Sequence, residues 1–236
     1  MTFARTVVCF DLDDTLVSES DCVESGLAAA GDGLDAALGA ELGSGAWLVG
    51  LWRGERARDG FQRLLRERGL DEQTWLPRLK ELYRDHLPSP CLRAGAAELV
   101  HRIARGGGRL ALLSDGYAHV QRSKWSALRL PATFDPVVFT DERGREFWKP
   151  HPWGFEMVMA AHPGARRFVY VGDNPAKDFI APNRLGWTTV LVRNPQNLYP
   201  PRFEAGEAAP RLCADSLIEV ADLIPPLDAV EPREAT

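Results

Sequence analysis

Four apolar residues in a row, Val7-Val8-Cys9-Phe10, run directly into Asp11-Leu12-Asp13-Asp14-Thr15, and this junction constrains the chain more than any other stretch. A short unbroken apolar run reads as a strand buried on both faces. Three carboxylates within four positions then arrive where that strand should end. Such a cluster repels itself and raises its own pKa values. It becomes reasonable when positive charge sits among the oxygens, and a divalent cation is one such charge. On extended backbone Asp11 and Asp13 point to the same side. One can attack or bind while the other handles a proton. Acidic residues after a strand also serve as plain turn formers. An EF-hand loop starting at Asp11 fails on its chemistry. It would put Leu16 where the turn needs Gly and Cys22 where a bidentate Glu belongs.

With 236 residues, one domain or a domain plus a smaller one is expected. A net charge of -5 without a long basic run argues against a nucleic-acid surface. Cys9, Cys22, Cys91 and Cys213 are scattered and form no CxxC pair, so no zinc knuckle or redox motif is indicated. Cys9, inside the strand, reads as a small core residue. The N-terminus lacks the apolar stretch of a signal peptide, and no apolar run approaches membrane-spanning length. The expectation is a cytoplasmic protein with no membrane partner.

From Val17 to Cys91 the texture changes to Ala, Leu, Gly, Glu and Arg, which favours short helices. Gly31, Gly33, Gly39, Gly43 and Gly45 are expected to break its first half into pieces and to suit hinge motion. Phe61, Leu64 and Leu65 share a face, with Gly69 as a stop and Asp71 as a cap for a following helix carrying Trp75, Leu79, Leu82 and Tyr83. After Cys91 the pattern alternates helix and strand. Strands are expected at Arg109 to Leu113, Val137 to Phe139, Phe168 to Val171 and Thr188 to Val192. Helices are expected at Tyr117 to Leu128, Pro152 to Ala161 and Ala176 to Leu185. This alternation implies an α/β fold, a parallel sheet with helices on both faces. Ligands in such sheets bind at the carboxyl ends of the strands. Pro195, Pro200, Pro201 and Pro210 mark a long loop, Asp215 to Leu223 a last short helix, and residues 225–236 a frayed tail.

The strand ends carry the polar chemistry. One ends in Ser114-Asp115-Gly116, where a hydroxyl and nearby backbone N–H groups suit a phosphate oxygen, although the same sequence is a common turn. Lys149 stands just before a helix and can neutralise a carboxylate and a phosphate together. Another strand ends in Gly172-Asp173-Asn174-Pro175-Ala176-Lys177-Asp178, where two carboxylates flank a turn and suit a hard cation. Either carboxylate can instead cap a helix, Asp178 more readily than Asp173.

These four signals in this order resemble the haloacid dehalogenase superfamily of phosphohydrolases. Asp11 to Thr15 looks like its first motif, Ser114 its second, Lys149-Pro150 its third, and Gly172-Asp173 with Asp178 its fourth. The resemblance implies a Rossmann-like core at residues 1–16 and 92–224 with a type-one helical cap at 17–91. It implies Asp11 as a nucleophile and Asp13 as acid and then base. Ser114 and Lys149 would bind phosphate oxygens. Mg2+ would be held by Asp11, the Asp13 backbone carbonyl, Asp173 and Asp178, the last directly or through water. Thr15 would order the loop. Asp14 and Asp115 read as structural, and Asn174 and Lys177 either line the site or, as the more ordinary reading, form a solvated turn.

Three activities compete: a phosphatase acting on a small phosphorylated metabolite, a phosphomutase or dehalogenase-type relative, and a non-catalytic module on the same fold. Dehalogenation needs neither Asp13 nor a metal cluster. A phosphonate-cleaving relative would want a Schiff-base lysine, and Lys80 is the one lysine of the helical insertion. Arg53, Arg56 and Arg58 beside Trp52 form either a solvated helix face or a reader of the leaving group. Oligomeric state is not legible.

Overall fold

The computed structural model describes residues 3–130, 132–194, 197 and 206–224. The expected frayed tail and Pro195, Pro200 and Pro201 lie outside them. The chain divides into two compact units, residues 20–90 and residues 1–19 with 91–236.

Residues 20–90 hold α1 (Glu19–Leu38, its first residue in the other unit), α2 (Ser44–Glu55), α3 (Gly60–Glu67) and α4 (Glu72–Asp85). Gly39 and Gly43, both at positive φ, separate α1 from α2 as the sequence suggests, but Gly31 and Gly33 do not break α1, contrary to the expectation. Gly26, Gly31 and Gly33 lie within one continuous helix. A Cβ on Gly31 would stand 2.2 Å from the Gly45 backbone nitrogen, so the missing side chain serves close approach of α1 and α2 rather than a hinge. Asp35 accepts from the N–H groups of Leu42 (3.0 Å) and Ser44 (3.1 Å), satisfying donors at the start of α2. Leu64, Leu65 and Leu79 are buried, and Asp71 caps α4 by accepting from the Thr74 N–H at 2.7 Å. Arg53 pairs with Glu24, while Arg56 donates to Ser20 and lies over the Trp52 ring. Both cations are therefore engaged inside this unit.

The other unit is a six-stranded sheet made of β1 (Thr6–Phe10), β2 (Arg109–Ser114), β3 (Phe134–Phe139), β4 (Arg167–Gly172), β5 (Thr188–Val192) and β6 (Leu212–Ala214). The order is β3-β2-β1-β4-β5-β6 and every pairing is parallel, giving an α/β Rossmann-like fold. Alternation along the strands feeds two core layers. Val8, Phe10, Leu110, Leu112, Val169 and Val171 pack with Leu99, Val100 and Ile103 of α5 (Ala96–Arg105). Val7, Cys9, Ala111, Leu113 and Tyr170 share the opposite layer with Phe155 and Val158. The remaining helices are α6 (Ala118–Ala127), α7 (Trp153–Ala161), which carries Phe155 and Val158, α8 (Pro175–Asp178), α9 (Ile180–Arg184) and α10 (Leu217–Leu223). From β1 the chain builds outward to β2 and β3, then crosses to β4. The strand order therefore switches beside β1, the place where open α/β sheets bind ligands.

Three elements differ from the sequence reading. The helix expected from Ala176 to Leu185 is split at Phe179, because Pro182 has no N–H to offer the carbonyl of Asp178. β3 begins at Phe134 and carries Pro136, which an edge strand tolerates. β6 has three residues, too short for a periodic signal, and is defined by pairing with β5.

Gly31→Ala should destabilise the protein by about 1–3 kcal/mol, because backbone atoms of α2 must move. Gly50→Ala, with nothing within 4 Å of the added carbon, should leave stability unchanged or raise it by up to about 1 kcal/mol. Thermal unfolding of both variants checks the contrast. A Gly31→Ala protein as stable as wild type would refute the close-approach argument.

Candidate active site

The β1 ladder continues one residue beyond the strand, where the Asp11 N–H donates to the Val171 carbonyl at 2.9 Å. The chain then turns sharply, with Leu16 and Val17 N–H groups both bonded to the Leu12 carbonyl. Asp14 takes a left-handed conformation (φ 54°), which a short polar side chain tolerates. Its carboxylate accepts the N–H of Glu19, first residue of α1, at 3.0 Å. Asp14 is thus a turn and cap residue. Thr15 is fully buried, and its hydroxyl has no hydrogen-bond partner among the described residues.

Lys149 is the hub. Its ammonium, with no exposed side-chain surface, lies 2.7 Å from Asp11 Oδ1 and 2.8 Å from Asp178 Oδ1, and donates to the Tyr170 hydroxyl at 2.9 Å. Asp178 Oδ2 accepts the N–H groups of Asp173 (3.2 Å) and Asn174 (2.9 Å), which ties the loop after β4 to α8. A Cβ on Gly172 would meet Asp178 Oδ2 at 2.6 Å, so only glycine admits that carboxylate. Asp178 is therefore not a helix N-cap; Asn174 caps α8 by accepting from the Ala176 N–H. Asp173 accepts from the Asn197 amide at 3.2 Å, and Asn197 in turn accepts from Arg93 at 2.8 Å.

Oxygens of Asp11, Asp173 and Asp178 all lie within 4.8 Å of one another, and all three residues are buried. Burial raises Asp11 to about 6, with Lys149 pulling it down and Asp178 pushing it up. Asp173 is driven well above the carboxylate range by burial and then by the Asp178 and Asp11 charges. Asp178 is also pushed up by burial, but Lys149 and Lys177 outweigh that and hold it low. Asp11 Oδ2 is buried and accepts no hydrogen bond among the described residues. An orphaned carboxylate oxygen beside a carboxylate forced toward its neutral form fits a hard divalent cation with oxygen ligands.

Asp13 stands apart from this trio. Its carboxylate accepts from Lys124 of α6 at 2.7 and 2.9 Å and from the Gln121 amide at 2.7 Å. Burial raises its pKa, yet Lys124 and Gln121 bring it below the ordinary value. Glu19 is raised to about 7 by burial and then by the Asp13 charge. Ser114, 1% exposed, accepts from Gln121 at 3.1 Å. Asp115 accepts from the Thr140 hydroxyl (2.7 Å) and the Lys149 N–H (3.1 Å), so it fixes the backbone on which Lys149 stands. Lys177 is not free in solvent: it lies 3.9 Å from Asp115 with its side chain one-third exposed.

The structure thus gathers Asp11, Asp173, Asp178 and Lys149, and places Asp13 and Ser114 on the Gln121 amide. Sequence reasoning missed Gln121, Lys124, Tyr170 and Asn197. The first two had one available signal, a Gln and a Lys three positions apart on the helix that follows Ser114.

A family model described as haloacid dehalogenase-like hydrolase matches residues 6–186. Haloacid dehalogenase-like hydrolase domain-containing protein 3 of Homo sapiens is 30% identical over 166 residues, which span 68% of this chain and 62% of the human protein. Among solved structures, the magnesium-bound putative HAD-hydrolase YfnB of Bacillus subtilis is similar with TM-score 0.57 and 19% identity, over 93% of this chain and 98% of that one. The 2-haloacid dehalogenase of Pseudomonas syringae is similar with TM-score 0.58 and 18% identity, over 94% and 97%. At these identities the structural likeness shows the fold alone. The family match covers most of the chain and establishes that this chain belongs to the haloacid dehalogenase-like hydrolases.

Proposed function

We propose that this hydrolase is a magnesium-dependent phosphatase that acts on a small phosphorylated metabolite through an aspartyl-phosphate. The observation that carries this reading is the buried Asp11, Asp173 and Asp178 trio around Lys149, with a second carboxylate, Asp13, two positions after Asp11. A dehalogenase is among the structural neighbours. Displacing halide from carbon calls for neither an acidic trio nor a proton donor, so these residues favour phosphoryl chemistry.

In this reading Asp11 attacks phosphorus with a carboxylate oxygen, and the bond from phosphorus to the leaving oxygen breaks. Asp13 gives that oxygen a proton, then takes one from the water that hydrolyses the acyl phosphate and regenerates Asp11. Ser114 and Lys149 hold phosphate oxygens, and Lys149 keeps Asp11 oriented. Asp11, Asp173, Asp178 and the Asp13 backbone carbonyl would hold Mg2+, which when bound neutralises charge that otherwise keeps a carboxylate from a phosphate dianion. Residues 20–90, entered directly after the Asp11 loop, serve as the cap that sets specificity. A cytoplasmic location belongs to the same proposal; among the described residues no helix is long and apolar enough to cross a membrane.

Phosphate release from an aryl phosphate should disappear in chelator and return with added magnesium, while halide release from a 2-haloacid should stay at background. Full phosphatase activity in chelator, or halide release alone, would remove this reading.

Asp11→Asn should abolish turnover, and Asp13→Asn should lower kcat by about 10²–10⁴-fold while retaining magnesium binding. Steady-state kinetics together with magnesium titration of thermal stability measure both effects. Near-normal turnover by Asp11→Asn would exclude the covalent route.

A further inference from the structure

Helix α6 buries two polar side chains on one face, Gln121 at 3% exposure and Lys124 at 8%, where apolar residues would cost nothing. Burying an ammonium or an amide without partners is expensive, so these positions are explained by what they hold. Lys124 donates to both oxygens of the Asp13 carboxylate, at 2.7 and 2.9 Å. Gln121 donates to Asp13 Oδ2 at 2.7 Å, and the same nitrogen reaches Ser114 Oγ at 3.1 Å and the Asp115 carbonyl at 2.5 Å. Three donor contacts on one carboxylate leave it no free rotation about its last bond.

The two residues are three positions apart, which places them on neighbouring points of one helical face. Helix α6 is itself anchored at both ends of this region. The Ala118 N–H donates to Asp141 at 3.1 Å, and Trp125 packs edge-on against Phe134 at 5.0 Å between ring centroids. The brace therefore transmits the position of a fixed helix to a side chain that stands on the turn after β1.

We propose that Gln121 and Lys124 are positioning residues that fix the direction of the Asp13 carboxylate and register it against Ser114. This deepens the phosphatase reading and rests on it for its kinetic consequence. The reaction gives Asp13 two duties, toward the leaving oxygen and then toward water. Both require the same oxygen in the same place, which a side chain with only 19% exposure and three contacts from two donor groups can maintain. Proton transfer depends steeply on such placement, and a misplacement near 1 Å can cost about 10²-fold.

The test is a double-mutant cycle combined with a crystal structure. Lys124→Met keeps the length of the side chain and removes its charge; Gln121→Met does the same for the amide. Each should lower kcat on an alkyl phosphate by about 10–10²-fold with little change in KM, and lower it less on an aryl phosphate whose leaving group needs no proton. In an Asp13→Asn background the same substitutions should cost almost nothing further. Crystal structures of Lys124→Met and Gln121→Met, each shown by its melting curve to be folded at the assay temperature, should show the Asp13 carboxylate rotated from its wild-type direction. An unmoved carboxylate, or a kcat loss that persists in full in the Asp13→Asn background, would overturn the proposal. Absence of phosphate release by the wild-type protein would count against the phosphatase reading alone, since the carboxylate direction is still read from the crystals.

Discussion

The loops after β1 and β4 are tied together by one buried ammonium. Lys149 stands between Asp11 and Asp178 with no exposed side-chain surface, and so links the two loops. Asp11 continues the central strand, and Asp178 holds the backbone after β4. Removing one partner from such a buried arrangement typically costs about 3–5 kcal/mol, because the remaining charges are left uncompensated. The lysine is therefore an architectural part as well as a chemical one. Its backbone is secured independently by Asp115, so its position does not rest on the charges it balances.

The charge balance explains why the arrangement is acidic overall. One ammonium in direct contact, with Lys177 acting from further away, faces three mutually close carboxylates, and Asp173 is the one that bears the deficit. Asp173 also has the most distant support, an amide from Asn197. Asp13 is balanced separately, by its own lysine on its own helix. The two aspartates of the first loop thus live in different electrostatic surroundings although one residue separates them. That separation holds the Asp13 carboxylate ionised and fully partnered while Asp11 keeps one buried oxygen that accepts no hydrogen bond among the described residues.

Much of this was legible in the sequence because parallel strands buried on both faces leave a strong signal. β5 was placed at Thr188 to Val192 from its apolar run, and β1, β2 and β4 to within a residue at each end. Asp11 and Asp173 were legible as charges placed where apolar runs stop, and Lys149 and Asp178 through the order of the four motifs along the chain. The glycines of α1 misled, because a glycine used for close packing and one used for a bend look alike until a neighbour is known. Gln121 and Lys124 carried only a weak signal for a related reason. On a helix read alone a Gln and a Lys are ordinary solvent-facing residues, and only the tertiary partner turns them inward. β6 and Asn197 follow proline-rich sequence in which no periodicity survives.

The spacing of these partners along the chain has a consequence for how the protein comes into being. Lys149 is 138 positions from Asp11, and Lys124 is 111 positions from Asp13. A nascent chain that has emerged only through α4 already contains both aspartates and none of the lysines that balance them. Its first strand has neither of its two sheet neighbours, so the carboxylates remain hydrated and the apolar run before them unpaired. Contacts this remote are slow to form because the intervening loop must close first. The helical residues 20–90 can pack in that interval with one another, whereas the first loop cannot gain its balancing lysines until residues 124 and 149 have emerged.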